Sequence, residues 1–309
     1  MASTIEYSYR IFHPNMRRFL RNCAMRFRRW PVNSLFVPPG HFYSPIVNTN
    51  EAEQHIGKLE SLPTPLSVDG IHLDRDQMIQ EWTNLLPFLN TAPFPASKTT
   101  EYRYTFENRS YSWGDGSVLH AMLRRYRPRR LIEIGCGWSS ACAIDTVEHF
   151  FENKCEMTFI DPHPALLKSL AGNVAQNLNI IESPVQAVPL SVFEKLGAGD
   201  FLFIDSTHVM RTGSDVCFEL FEVMPRLASG VFVKIHDIFW PFEYPRYWAV
   251  DENRSWNEIY ALRAFLTGNR QWRIVFFNDY FEKVERSRIA ATFPNFLKNS
   301  GGSLWLQRC

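Results

Sequence analysis

The run Glu133-Ile134-Gly135-Cys136-Gly137-Trp138-Ser139-Ser140 sets an acid two residues ahead of a pair of glycines, directly after the apolar Leu131-Ile132. Glycines at 135 and 137 let a backbone turn sharply and approach a ligand without a Cβ in the way. Dinucleotide-binding proteins use a Gly-x-Gly-x-x-Gly turn to seat a pyrophosphate on a helix N-terminus, but the third glycine is absent here and an acid leads the turn. That acid would repel a pyrophosphate and suits a ligand with a cationic amino-acid end. Further on, Phe159-Ile160-Asp161 ends an apolar run in a carboxylate that can accept both hydroxyl hydrogens of a ribose. The plainer alternative is that Glu133 and Asp161 only cap helices.

A second group comprises Asp205, His208, His236 and Asp237. A histidine that titrates near neutral pH can take the proton of an attacking hydroxyl, and a carboxylate can orient it. His208, assisted by Asp237, is the preferred base and His236 the other candidate; each histidine alone reads equally well as a structural, hydrogen-bonded residue. Tyr111, Trp113 and Asp115 either close over a bound cofactor or serve as aromatic packing with Asp115 as a helix cap. The aromatic and proline-rich run from Ile238 to Trp248 either lines an acceptor cleft or packs as a lid.

To bring these residues together the chain must alternate strands and helices, and from about Ser117 it does. The pattern predicts a helix to Tyr126, a strand Arg130 to Ile134, a helix from Ser139, a strand Met157 to Asp161 and a helix from Pro164. A short strand near Ile180, a strand Phe201 to Asp205, a helix around Asp215 to Leu227 and a strand Val231 to His236 follow. A helix Ser255 to Thr267 and strands Arg273 to Phe277 and Ser303 to Leu306 complete the reading. Such alternation implies an α/β fold, a mostly parallel sheet with helices on both faces and ligands at the carboxyl ends of its strands. Prolines between Pro38 and Pro95 predict an irregular cap with one short helix near Arg75 to Leu86. The expected division is a cap over residues 1–110 and a catalytic domain over 111–309.

Lys+Arg 33 against Asp+Glu 32 makes no basic field that would gather nucleic acid, so no nucleic-acid partner is expected. Residues 8–30 stand apart, with seven arginines and no acid among apolar residues at helical spacing. They read as a helix docked on its own domain or as a peripheral contact with an anionic membrane surface, with an Arg-rich targeting peptide as a third reading. Six scattered cysteines without a Cys-x-x-Cys pair, and no apolar stretch long enough to span a bilayer, fit a cytoplasmic protein.

The acid-x-Gly-x-Gly turn, the second-strand acid and the fourth-strand acid together resemble the class I S-adenosylmethionine (SAM) dependent methyltransferases. More narrowly, Gly40-His41-Phe42-Tyr43-Ser44-Pro45, Phe203-Ile204-Asp205-Ser206-Thr207-His208, His236-Asp237-Ile238-Phe239, Pro241-Phe242-Glu243-Tyr244-Pro245 and Gly301-Gly302-Ser303-Leu304-Trp305-Leu306 resemble bacterial proteins with a methyltransferase-24-type domain, from about residue 38 onward. The resemblance implies a Rossmann-like sheet whose last strand inserts antiparallel beside the fifth. It implies that Glu133, Gly135, Cys136 and Gly137 hold the methionine part of SAM, that Asp161 holds the ribose, and that the Pro184-Val185-Gln186-Ala187 loop, through Gln186, meets the adenine edge. Asp205, the fourth-strand acid, is counted with them among the cofactor-binding residues. Related macrocin-type sugar O-methyltransferases carry Asp-x-Asp-His after the fourth strand and hold a divalent metal with clustered acids. This chain lacks the second acid, so a magnesium or softer ion would fall to Asp205, His236 and Asp237.

The expected activity is therefore SAM-dependent methylation, of oxygen in preference to nitrogen or carbon, on a small or glycan-linked hydroxyl. The alternatives are an NAD-dependent oxidoreductase on a similar sheet and a non-catalytic methyltransferase-like scaffold.

Overall fold

The computed structural model describes residues 36–152 and 155–309. The basic segment 8–30 lies outside the described residues. The chain forms two compact units. Among the described residues, the smaller comprises residues 36–63 and Tyr244–Ser255. Its helix α1 (Thr49–Glu60) starts at Asn48, whose side chain accepts from the backbone N–H of Asn50 at 3.0 Å, the usual way to satisfy a free N-terminal donor. Arg246 pairs with Glu53, and Ser255 Oγ accepts from the N–H of Val47 at 3.1 Å, which ties the two stretches of this unit together.

The larger unit comprises Thr64–Glu243 and Trp256–Cys309 and so begins well before residue 111. It opens with α2 (Arg75–Leu89), capped by the Asp74 carboxylate, and α3 (Trp113–Tyr126). There follow β1 (Arg130–Ile134), α4 (Trp138–Phe150), β2 (Glu156–Ile160), α5 (Ala165–Ala171), β3 (Asn179–Ile181), β4 (Phe201–Ile204), α6 (Asp215–Phe218) and β5 (Phe232–Ile235). Then come α7 (Glu258–Leu266), β6 (Trp272–Phe277), α8 (Asn278–Thr292) and β7 (Leu304–Arg308). The seven strands form one sheet in the order β3-β2-β1-β4-β5-β7-β6. The first five pair in parallel, and β7 inserts antiparallel between β5 and β6. This is the α/β sheet expected, with its last strand reversed beside the fifth.

The central strands are apolar runs because both their faces are covered. Phe201, Leu202, Phe203 and Ile204 of β4 are all buried, and in β1 and β5 the exceptions to apolar character are Arg130, Glu133 and Lys234. A parallel sheet of this order reverses its winding between β1 and β4, and that switch point opens a crevice at the carboxyl ends of those strands.

Several elements differ from expectation. Residues 36–63 contain α1 as well as irregular chain, and α2 runs past Pro87 to Leu89. The helix expected over 215–227 is α-helical only through Phe218, widens to i+5 bonding over Glu219–Val223 and tightens to a 3-10 turn at Met224–Arg226, where Pro225 has no N–H to continue it. Helix α8 was not anticipated. Its hydrophobic spacing breaks at Glu285, whose backbone leaves the helical region at φ −120° and whose carboxylate accepts from Arg75 and Arg288. Among the described residues no helix is long and apolar enough to cross a membrane, and Cys136, Cys142, Cys155, Cys217 and Cys309 are free thiols.

Candidate active site

The turn after β1 is built on one obligatory glycine. Gly135 has φ +78°, and a Cβ there would lie 1.8 Å from the carbonyl oxygen of Asp205, so both conformation and space exclude a side chain. Its N–H donates to the Ile160 carbonyl at 2.9 Å. Gly137 differs: its backbone is extended, and a Cβ would meet only the end of the Leu166 side chain at 3.2 Å. The fold's demand for glycine is weaker at 137 than at 135, because only the end of a flexible side chain would have to give. Ser140 Oγ accepts from the Gly137 N–H at 3.0 Å and fixes the start of α4.

Two acids flank this turn. Glu133 is completely buried; one carboxylate oxygen accepts from the Ser139 hydroxyl, and Oε2 has no hydrogen-bond partner. Burial pushes its carboxyl up to about 7, against the pull of Lys234 and the hydroxyls of Ser139 and Ser140. Asp161, at the end of β2, accepts from the backbone N–H of Cys136 at 2.9 Å and of His163 at 2.6 Å and remains partly exposed. The Cys136 Sγ lies 3.7 Å from the Ile160 carbonyl. Gln186 is exposed and donates its amide to the Gly213 carbonyl at 2.9 Å, which holds the Val185–Ala187 turn beside the start of α6.

Asp205, His208, His236 and Asp237 come together at the ends of β4 and β5. His208 Nδ1 lies 2.8 Å from Glu258, and its Nε2 faces Asp237 at 3.5 Å and Asp205 at 3.6 Å. His236 mirrors this arrangement, with Nε2 3.1 Å from Asp115 and Nδ1 facing Asp205 at 3.3 Å and Asp237 at 3.4 Å. Each imidazole is thus anchored by a carboxylate on one nitrogen and presents the other to the same pair of acids. Burial disfavours charge on both rings, but the facing carboxylates outweigh it: Glu258 raises His208, and Asp237, Asp205 and Asp115 raise His236 well above an ordinary imidazole. Asp205 shows the reverse balance, since burial would raise it but His236, then His208 and Lys234, hold it below the usual carboxylate range.

Local backbone geometry aims these groups. His208 and Asp237 have φ +61° and +59°, a left-handed conformation that non-glycine residues adopt rarely and that clusters at functional sites. The His208 carbonyl accepts from the N–H groups of Asn257 and Glu258 at 3.1 and 3.2 Å, so the start of α7 holds that turn. At the other, Ile238 N–H donates to the Gly302 carbonyl, and a Cβ on Gly302 would come 3.0 Å from the Asp237 Cα.

Asp115, one of two readings as a helix cap, instead accepts from Ser303 Oγ at 2.6 Å, Ser303 N–H at 3.1 Å and Gly302 N–H at 3.3 Å while holding His236. Tyr111 is buried beside His236, and Trp113 stacks on Phe106 at 4.6 Å, so these rings pack within the protein. In the run after Asp237, Trp240 and Phe242 are buried, and Trp240 packs edge-on to Tyr280 at 4.9 Å; this part of the run is packing. Among the described residues, the group whose donor atoms converge within 4.8 Å for a metal ion is Asp205, His208 and Asp237. His208 stands in it where His236 was expected, although the Nδ1 of His236 also lies within 3.4 Å of both acids. Glu258 and Lys234, both buried in this region, were not anticipated from sequence.

Residues 132–238 match the model of a methyltransferase domain. An uncharacterized protein of Archaeoglobus fulgidus is 32% identical over 167 residues, 53% of this chain and 75% of that protein. Similar solved structures include the methyltransferase PaMTH1 of Podospora anserina with S-adenosylhomocysteine (SAH) bound, at 14% identity and TM-score 0.41, covering 89% of this chain and 99% of that one. The O-methyltransferase TomG of Streptomyces achromogenes, in complex with SAM, is 10% identical with TM-score 0.38 over 84% of this chain and 96% of that one. The matched segment runs from β1 through Ile238 and includes the glycine turn, Asp161, Asp205 and the His236-Asp237 pair. The dinucleotide alternative therefore falls away, and the chain belongs to the class I SAM-dependent methyltransferases.

Proposed function

We propose that this methyltransferase acts on a hydroxyl of a small or glycan-linked acceptor in the cytoplasm. The observation that carries the reading is the contact between two sites: the bare face of Gly135 lies against the Asp205 carbonyl, so the cofactor turn directly adjoins the His208, His236 and Asp237 cluster. The residues present fit SAM, because Glu133 keeps a buried carboxylate oxygen without a partner beside the turn. In this assignment Glu133 receives the amino-acid end, with Gly135, Cys136 and Gly137 as the backbone platform. Asp161 holds the ribose and Gln186 borders the adenine. SAM supplies an electrophilic methyl group.

The protein's own residues must then place an oxygen in line with that methyl and remove its proton. Glu258 fixes His208 through Nδ1, which leaves Nε2 directed at the space shared with Asp205 and Asp237, where the acceptor hydroxyl belongs. His208 takes the proton, and Asp237 orients the hydroxyl. A second reading is favoured by the convergence of Asp205, His208 and Asp237: these would hold a divalent cation that binds the hydroxyl and acidifies it, with Glu258 as the outer partner of the histidine.

Calorimetric titration with SAH, with and without magnesium, followed by an acceptor screen that starts with sugars, tests the assignment. Binding to the wild type, weakened by about 1–3 kcal/mol in Asp161→Ala, is expected from the loss of a ribose hydrogen-bond partner. A folded protein that ignores SAH would leave only the scaffold alternative.

A further inference from the structure

Lys234 sits in the middle of β5, completely buried, and its Nζ has no hydrogen-bond partner among the described residues. The ammonium lies 4.3 Å from the centre of the Tyr111 ring and 5.1 Å from that of Phe203, a cation held by two aromatic faces. Strand register shows what it is near. Glu133 is directly opposite Phe203, and Phe203 directly opposite Lys234, so the three form one row on one face of the sheet across β1, β4 and β5. Adjacent strands lie about 4.8 Å apart, which puts the acid and the cation about 10 Å apart with one phenyl ring between them. Glu133 Oε2 is likewise buried without a partner. The same face of β5 carries His236 two residues further on, at the carboxyl-end cluster.

A methionine at 234 would fill the same space between the two rings and remove the large cost of burying a charge. The cation therefore has work that packing does not explain. Its field falls on Glu133 and Asp205, and it is the full positive charge set against Glu133. The other groups facing Glu133 are the hydroxyls of Ser139 and Ser140 on α4 and, at longer range, the carboxylate of Asp205 after β4, which opposes ionisation. Cys136 in the turn and Cys142 on α4 also feel the Glu133 charge and are themselves neutral thiols.

We propose that Lys234 is a positioning residue of the cofactor site: through the low-dielectric interior, and without touching the ligand, its ammonium keeps Glu133 ionised to receive the cationic amino group of SAM. The proposal rests on the assignment of Glu133 to that amino group. A carboxyl that titrates close to neutral pH makes binding sensitive to one distant charge, because a change of one pKa unit there changes the ionised fraction several-fold.

The test is calorimetric SAH titration from about pH 6 to about pH 9, across the range in which such a carboxyl ionises, on the full-length wild type and on Lys234→Met, Lys234→Gln, Lys234→Arg and Glu133→Gln. In the wild type, affinity rises with pH through about 7. In Lys234→Met and Lys234→Gln the midpoint of that rise moves up by a unit or more, so affinity near pH 7 falls about five-fold or more and recovers at the alkaline end. Lys234→Arg retains the wild-type profile. Two neutral variants guard against one that fails to fold. A profile that keeps its midpoint in the neutral variants, whether or not affinity drops uniformly, overturns the proposal. Unchanged affinity in Glu133→Gln overturns the assignment beneath it, a failure distinct from the first.

Discussion

Single side chains at this site act in anchored pairs. His208 and His236 each spend one nitrogen on a buried carboxylate, Glu258 and Asp115, and this fixes where the other nitrogen points. If His208 Nε2 takes the acceptor proton, His208→Ala should lower kcat at least a hundred-fold while SAH affinity stays within about two-fold, as expected of a group whose contribution is made in the transition state. Glu258→Gln should produce part of the same loss, because the amide no longer stabilises a charged ring. Single-turnover kinetics with a saturating acceptor would measure both, and wild-type turnover in His208→Ala would move the base to His236. The acids of the turn and the two histidines were legible in sequence because each stands within four residues of the end of an apolar run, where a strand delivers it to the crevice. Glu258 was not, because it is 50 residues from His208 and nothing in local spacing announces a pairing made by the start of a separate helix. Lys234 left a trace that pattern reading passed over: it is the lone cation in the apolar run Val231 to Ile235.

At the level of elements, the turn between β1 and α4 is where conformation and function are hardest to separate. Gly135→Ala would face a left-handed φ and a Cβ 1.8 Å from a backbone oxygen, and backbone cannot move aside as a flexible side chain can. Gly137→Ala meets only the end of Leu166. Thermal denaturation should therefore show Gly135→Ala several degrees below the wild type, a loss on the order of 2 kcal/mol or more, and Gly137→Ala nearly unshifted. SAH affinity should fall in both, since a methyl at 137 adds bulk to the backbone assigned to the cofactor. Gly137→Ala that binds SAH normally would remove that residue from the platform. The parallel strands and their order of appearance were readable from alternating apolar runs, with ends misplaced by a residue or two. Helix α8 was not, because the kink at Glu285 breaks its periodicity, and the bent helix after Ser214 was not, because Pro225 forbids the regular ending that its apolar pattern suggests.

At the scale of the whole molecule, every residue assigned to SAM or to the acceptor lies within the larger unit, Thr64–Glu243 and Trp256–Cys309. The basic segment 8–30 lies outside it in sequence and reads either as a helix docked on its own domain or as a peripheral contact with an anionic membrane surface. These two statements separate cleanly in one experiment. A chain that begins at residue 36 keeps β1 to β7 and each hydrogen bond described around Glu133, Asp161, His208 and His236, so its SAH affinity should equal that of the full chain within about two-fold, a difference of less than 0.5 kcal/mol. Its cosedimentation with vesicles rich in anionic lipid should fall sharply, because the seven arginines of that segment, each worth about 1 kcal/mol near such a surface, are gone. The loss should shrink as salt is raised, since it is a screened electrostatic attraction. If both chains sediment equally, residues 8–30 do not address the protein to a membrane; if the shortened chain loses SAH affinity, that segment contributes to the cofactor site, and the assignment of the whole site to the larger unit fails.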